Sequence, residues 1–223
     1  SIDINQIKKL KLIFLKNNNK TEINIINSEF EDIRLLTHKN MILNISSAKI
    51  IKTNKNIKFF SSDIKAEGTI GSAYFSKLSI LSNDYTDIIN DIELKSDIIT
   101  NYKFLNFMLS EFKINQKLPK NLEGDVSGLL KISKKKKDKD FKYFFEGSLE
   151  NFYYNKPDNK DMPIVLNAFN GDFSLSNDLV KINGVGSING SSSDIKILVD
   201  KDDILTANIE TKAKPSSFNF LGK

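Results

Sequence analysis

Any chemistry in this chain would have to use a narrow set of side chains. His38 is the only histidine and Cys is absent. Disulfides, thiolate nucleophiles and thiolate metal sites are therefore excluded, and a Ser-His-Asp triad could only be built on His38. That residue is followed by Lys39 and Asn40, a turn-like context. Acids stand side by side at Glu31 with Asp32 and at Asp202 with Asp203. Two carboxylates can hydrolyse a glycoside when a cleft holds them at a defined separation. Both pairs lie in turn-like or alternating surroundings, and no loop has EF-hand spacing. Gly184-Val185-Gly186-Ser187-Ile188-Asn189-Gly190 imitates a phosphate loop, but that loop must open a helix. Turn and strand residues follow here, so these glycines are expected to permit tight hairpins. The inventory points to no enzyme, no metal and no cofactor.

Charge adds little. The formal net charge is +5, and of 33 basic residues only Arg34 is arginine. Phosphate and base readout favour arginine forks and clustered charge, whereas acids and lysines alternate along most of this chain, so nucleic acid is not an expected partner. The densest cluster is Lys134-Lys135-Lys136-Lys137-Asp138-Lys139-Asp140, read as a solvated, mobile hairpin tip. Its sharper reading is attraction to anionic lipid headgroups, at roughly 1 kcal/mol per lysine. The corresponding loop of the first half, 16–22, carries asparagines instead. The best apolar run, 10–15, is interrupted by Lys11, well short of a membrane span. The first residues lack a signal peptide's basic flank and apolar core, and both ends read as cut from a longer protein.

The elements that would position these groups are mostly strands. At 223 residues, 39% apolar and 27% charged, the chain falls among folded proteins able to bury a core. Period-two alternation recurs, as in Leu10, Leu12, Phe14 and in Ile195, Ile197, Val199, with Asn, Asp, Lys and Gly breaks between. This pattern predicts antiparallel strands joined by hairpins. One segment differs: within 101–113, Phe104, Leu105, Met108, Leu109 and Phe112 form a helical stripe, with Thr100 or Asn101 as N-cap. Segment 84–91 fits neither pattern, and 92–99 reads as a strand.

The chain also repeats itself once, at an offset of about 116 to 119 residues. Leu12 to Leu15 match Leu130 to Ser133, Phe30 to Ile33 match Leu149 to Phe152, Ile64 to Gly68 match Val180 to Gly184, and Ile92 to Ser96 match Ile209 to Ala213. Repetition of a β unit implies an elongated stack. The fold expected is mainly β: two similar antiparallel modules, 1–113 and 114–223, sharing one sheet, with a short helix near 101–113 and the second module cut at the equivalent helix.

The modules resemble the AsmA-like superfamily of Gram-negative envelopes. The resemblance is carried by Gly124-Asp125-Val126-Ser127-Gly128-Leu129, Glu146-Gly147-Ser148-Leu149-Glu150-Asn151-Phe152, Asn170-Gly171-Asp172-Phe173-Ser174-Leu175 and the glycines from Gly184 to Gly190. It covers most of 120–223 well and 1–113 more loosely. It implies a long twisted sheet rolled into a groove, belonging to a periplasmic, inner-membrane-anchored protein that carries phospholipids toward the outer membrane and supports its integrity. Physical reasoning runs alongside. A nearly all-β chain has an apolar sheet face that something must cover, either another protein layer or phospholipid acyl chains. The expected lining is Phe173, Leu175, Ile182, Ile195, Ile197, Val199, Ala207 and Ile209 in the second module. Its first-module counterparts are Ile57, Phe59, Ile64, Leu78, Ile80 and Ile92. The alternative is a structural or adhesive β-repeat scaffold whose face is dry core.

Overall fold

The computed structural model describes residues 2–17, 19–35, 38–111, 122–155, 165–202 and 204–211. They form one antiparallel meander. The strands are β1 (Ile2–Lys9), β2 (Leu12–Asn17), β3 (Lys20–Leu35), β4 (His38–Thr53), β5 (Ile57–Gly68), β6 (Gly71–Ser82) and β7 (Ile92–Asn101), followed by the helix α1 (Tyr102–Glu111). After it come β8 (Leu122–Lys134), β9 (Lys142–Asn155), β10 (Val165–Ser176), β11 (Val180–Ile188), β12 (Ser191–Val199) and β13 (Leu205–Thr211). From β3 onward each strand pairs with the next in sequence, and the sheet does not close into a barrel. β1 and β2 lie end to end along one side of β3, β1 against Glu29 to Leu35 and β2 against Lys20 to Ile25.

Hairpin chemistry explains the meander. The β11–β12 turn is Asn189-Gly190, both at positive φ (48° and 83°), the pairing whose twist suits a two-residue hairpin. Asn189 also accepts the Val165 N–H through Oδ1 at 2.9 Å, fastening the start of β10. Of the glycines expected in hairpin turns, only Gly190 is in one. Gly184 and Gly186 lie inside β11. The helix begins where expected, and Asn101 is its cap, its Oδ1 accepting the Phe104 N–H at 2.8 Å. Thr100 instead donates its hydroxyl to the Ser72 carbonyl. Segment 84–91 is a loop holding one short 3-10 turn, Ile88–Asn90. The end of the expected helix (112–113) and the truncated second helix lie outside the described residues.

The sheet runs through the expected module boundary, with β7 and β8 paired from Ile92–Lys134 to Asn101–Asp125. Strand for strand the repeat keeps its order, with β8 to β13 in the places of β2 to β7. Its depth slips. Ile64 lies well inside β5 whereas its match Val180 opens β11, and Ile92 opens β7 whereas Ile209 lies toward the end of β13.

Two backbone devices bend the sheet. Bulges interrupt the register beside Lys77, Asn151 and Ala168, all at positive φ, and a bulge bends a strand and increases its twist. Glycines oppose each other directly as Gly128–Gly147 and Gly171–Gly184. A methyl group on Gly147 would lie 1.9 Å from the Ser127 carbonyl oxygen, and one on Gly171 2.3 Å from that of Asn183. Neighbouring backbones therefore close in on one face at these rows, leaving no room for a side chain. These facing glycine pairs are where the backbones of neighbouring strands come closest.

Candidate functional site

The register assembles a single apolar face. In the second module Phe173, Ile182, Ile197 and Ala207 stand in one cross-strand row, Leu175, Val180, Val199 and Leu205 in the next, and Ile195 pairs with Ile209 on the other side. All eight expected lining residues of that module are in these three rows. In the first module Phe59 pairs with Ile80, Ser61 with Leu78 and Ile64 with Phe75. The row of Ile80 continues through Leu94 and Ile132 to Tyr143. Ile57 faces Ser82, and Ile92 faces Lys134. Phe59 and Ile64 differ in parity, but the two exposed or half-exposed residues between buried Ser61 and Ile64 reset the alternation. The fourteen residues thus share one face.

Charge is nearly excluded from it. Among the residues from β3 to β13 whose side chains are described, which leaves out 31–40, the register places only Lys52 and Lys134 on this face, each in the last pair before a loop. Both ammonium groups rest on aromatic rings, Lys52 over Tyr85 at 4.1 Å and Lys134 over Phe141 at 5.1 Å. Buried hydroxyls are turned onto backbone carbonyls: Ser61 donates to Ser47 at 2.7 Å, Ser96 to Asp97 at 2.8 Å and Thr100 to Ser72 at 2.8 Å. The opposite face carries ion pairs, among them Glu22 with Lys49 at 2.6 Å and Lys20 at 3.0 Å. Those two ammonium groups hold the Glu22 carboxyl at a pKa of about 2.

Coverage of the face is graded. Leu130 and Ile132 of β8, Phe145 of β9 and Leu175 of β10 are almost wholly buried. The helix covers part of the face, packing on β6, β7 and β8, with Tyr102 edge-on to Phe152 at 5.7 Å. Elsewhere the curled sheet shields itself, since its buried side chains form one contiguous cluster from Phe30 to Ile195. Toward β13 the cover fails. Leu175 and Ile195 are buried, Phe173, Ile182, Ile197 and Val199 are half-buried, and Ala207 and Ile209 are exposed. Ile64 and Leu78 are buried in the first half, while Ile57, Phe59, Ile80 and Ile92 are half-buried. An open concavity of about 360 Å³ in β11–β13 is lined mostly by residues of the opposite face, Lys181, Asn183, Lys196, Leu198, Thr206 and Asn208, and so does not belong to this one.

In the second half much of the buried face, Leu175 and Ile195 apart, was not among the expected lining. It comes from Val126, Leu130 and Ile132 of β8, Phe145 and Leu149 of β9, and Phe152 and Phe169. Their signal was alternation in 122–132, hidden because Gly124 and Gly128 occupy two of the inward positions.

The polar candidates do not converge. His38 opens β4 opposite Leu35, and no group of three or more metal-ligating side chains occurs among the described residues. The lysine cluster is solvent-exposed, as expected, and some of its members make ion pairs. Lys136 is paired with Asp84, Lys135 lies 3.7 Å from Asp91, and the Lys135 N–H donates to Asp138 at 3.1 Å. No helix among the described residues is long and apolar enough to cross a membrane. No family model, curated protein or solved structure matches this chain.

Proposed function

We propose that this chain is a non-catalytic, lipid-conducting segment of a groove of the AsmA-like kind. In this reading it is periplasmic, part of a longer protein anchored in the inner membrane, and moves phospholipids between the inner and outer membranes. The observation that carries the reading is the apolar face, charged only at Lys52 and Lys134 on its rim, which runs in register across an unclosed sheet and loses its cover toward β13. An acyl chain gains about 0.8 kcal/mol per CH₂ removed from water by any smooth apolar wall. Such a wall needs no reactive group. It must only be continuous, since a single stranded charge would cost far more than one methylene contributes. The lysines that do reach the face stand at its rim, where a phosphate headgroup would pass.

A second reading is favoured by a specific observation. Phe145 is 0% exposed and Leu130 and Ile132 are each 1% exposed, so this part of the face is filled by its own side chains, as a dry scaffold would be. Lipid entry there exchanges one apolar contact for another, which makes opening less costly than exposing the same surface to water.

Native mass spectrometry of the purified chain, with photocrosslinkers at Ile182 and Ile197, separates the two. Conduction predicts co-purifying phospholipid and crosslinks to acyl chains, both diminished by Ile197→Lys. Lipid-free protein whose crosslinks fall only within the chain would leave the scaffold.

A further inference from the structure

The two described charges on the apolar face have the same sign and stand at the same end of the strands. Lys52 faces Ile57, which faces Ser82, and Lys134 faces Ile92. The pair Leu81–Glu93 sets Ser82 beside Ile92, so both lysines belong to one cross-strand row. Each ammonium rests on a ring, and neither makes an ion pair among the described residues. Tyr85, the ring beneath Lys52, is itself fixed, its backbone N–H donating to the Lys55 carbonyl at 3.0 Å. A ring attracts an ammonium by its face but leaves N–H donors free for an oxygen. The acids of the neighbouring β6–β7 loop are engaged elsewhere: Asp84 with Lys136, Asp87 with the Asn90 amide at 3.0 Å, and Asp91 with the Asn83 N–H at 3.2 Å.

The other end of the same strands is apolar. Helix α1 follows directly on β7 there and lays Phe104, Leu105, Met108 and Leu109, all buried, against β6 to β8. Ile70, in the β5–β6 turn, packs on the same core.

We infer that the face holds phospholipid in one orientation, headgroup phosphate at Lys52 and Lys134 and acyl chains running along the strands toward α1, and that these lysines favour a net-anionic headgroup. This rests on the conduction reading above and adds to it a direction across the groove and a headgroup class. The reverse orientation would press a phosphate against the apolar side chains of the helix, where no described charge meets it. Length permits the arrangement. Strand β8 has 13 residues, roughly 43 Å of wall, whereas the acyl chains of one leaflet span about 15 Å. A zwitterionic headgroup brings its own cation to the lysine, and a glycerol headgroup does not. The lysines are four strand spacings apart, about 19 Å of sheet, so each serves its own phosphate and their effects should be nearly independent.

Because native cysteine is absent, a fluorophore can be attached at either end of β5, through Asn54→Cys near the lysine row or Thr69→Cys at the far turn, both exposed. Each labelled chain is loaded with phosphatidylglycerol carrying a nitroxide on its headgroup or at its acyl-chain end. The headgroup nitroxide is expected to quench the label at 54 several-fold more than the label at 69, and the chain-end nitroxide the reverse. Native mass spectrometry then offers the unlabelled chain equal amounts of phosphatidylglycerol and phosphatidylethanolamine with identical acyl chains. Several-fold more phosphatidylglycerol should be retained. Lys52→Gln and Lys134→Gln should each lower that ratio, and the double variant should bring it to parity with total bound lipid kept. Lys137→Gln, which removes the same charge from the β8–β9 loop beyond the face, should leave it unchanged. Bound lipid that quenches both labels alike, or a ratio that Lys137→Gln lowers as far as the face lysines do, overturns this inference and leaves the groove standing. A chain that takes up no lipid overturns the groove itself, and this inference with it.

Discussion

Gly147 and Gly190 are both required, for different reasons. A methyl on Gly147 would meet backbone on the neighbouring strand, which cannot swing away, whereas Gly190 has open space around it and only its φ of 83° to defend. Gly147→Ala is expected to lose about 3 kcal/mol through overpacking, and Gly190→Ala about 1 kcal/mol through left-handed strain. Urea midpoints of the two variants check the order. Glu22 makes a prediction about acid. Its carboxyl is held at about 2, first by the hydrogen bond from Lys49 and then by that from Lys20, so its folded pKa lies below the unfolded one. A group shifted in that sense stabilises above its unfolded pKa, near 4.3, and loses that contribution as pH falls toward 2. Glu22→Gln should therefore lower the urea midpoint at pH 6 and approach the parent chain as pH falls through about 2, and added salt should shrink the gap.

At the scale of elements, α1 depends on one side chain for its start. Asn101→Ala removes the acceptor for the Phe104 N–H and should cost about 1 kcal/mol, read from thermal melts. Leu105→Ala, at a position buried beneath the helix, should cost about 3 kcal/mol. The helix and the strands were legible because each follows one clean period, 3.6 or 2. What could not be read were the places where a period breaks. Lys77, Asn151 and Ala168 adopt positive φ although none is glycine, and each shifts the inward set by one residue. Gly124 and Gly128 stand where alternation calls for an apolar side chain, so β8 did not stand out as a wall of the face. The repeat suffered in the same way: hydrophobic matches four residues apart keep the same parity, so a slip along a strand leaves the pattern intact.

For the whole molecule, the face was legible within strands and invisible between them, because parity fixes which residues point together but register decides which strands agree. The cover over that face sets the mutational response. Phe145→Ala, at the closed centre, should cost about 4 kcal/mol, whereas Ile209→Ala, 47% exposed on the last strand, should stay within about 0.5 kcal/mol. Denaturation of both variants checks whether stability falls away toward β13 as the cover does. Hydrogen exchange should show the same gradient, with β8 and β9 slowest and β13 fastest.

The nearest-neighbour order from β3 to β13 has a mechanical consequence. A tether pulling on the two chain ends draws on the opposite margins of the sheet, and no strand from one margin is stitched into the other. Load therefore reaches the outermost hairpin first and opens its ladder one bond at a time, as a zip opens, instead of shearing many bonds together. Under the optical trap such a chain should lengthen in a series of small, low-force steps, each about one hairpin long. On relaxation it should re-form in the reverse order, since from β2 onward each strand's partner is already beside it along the chain.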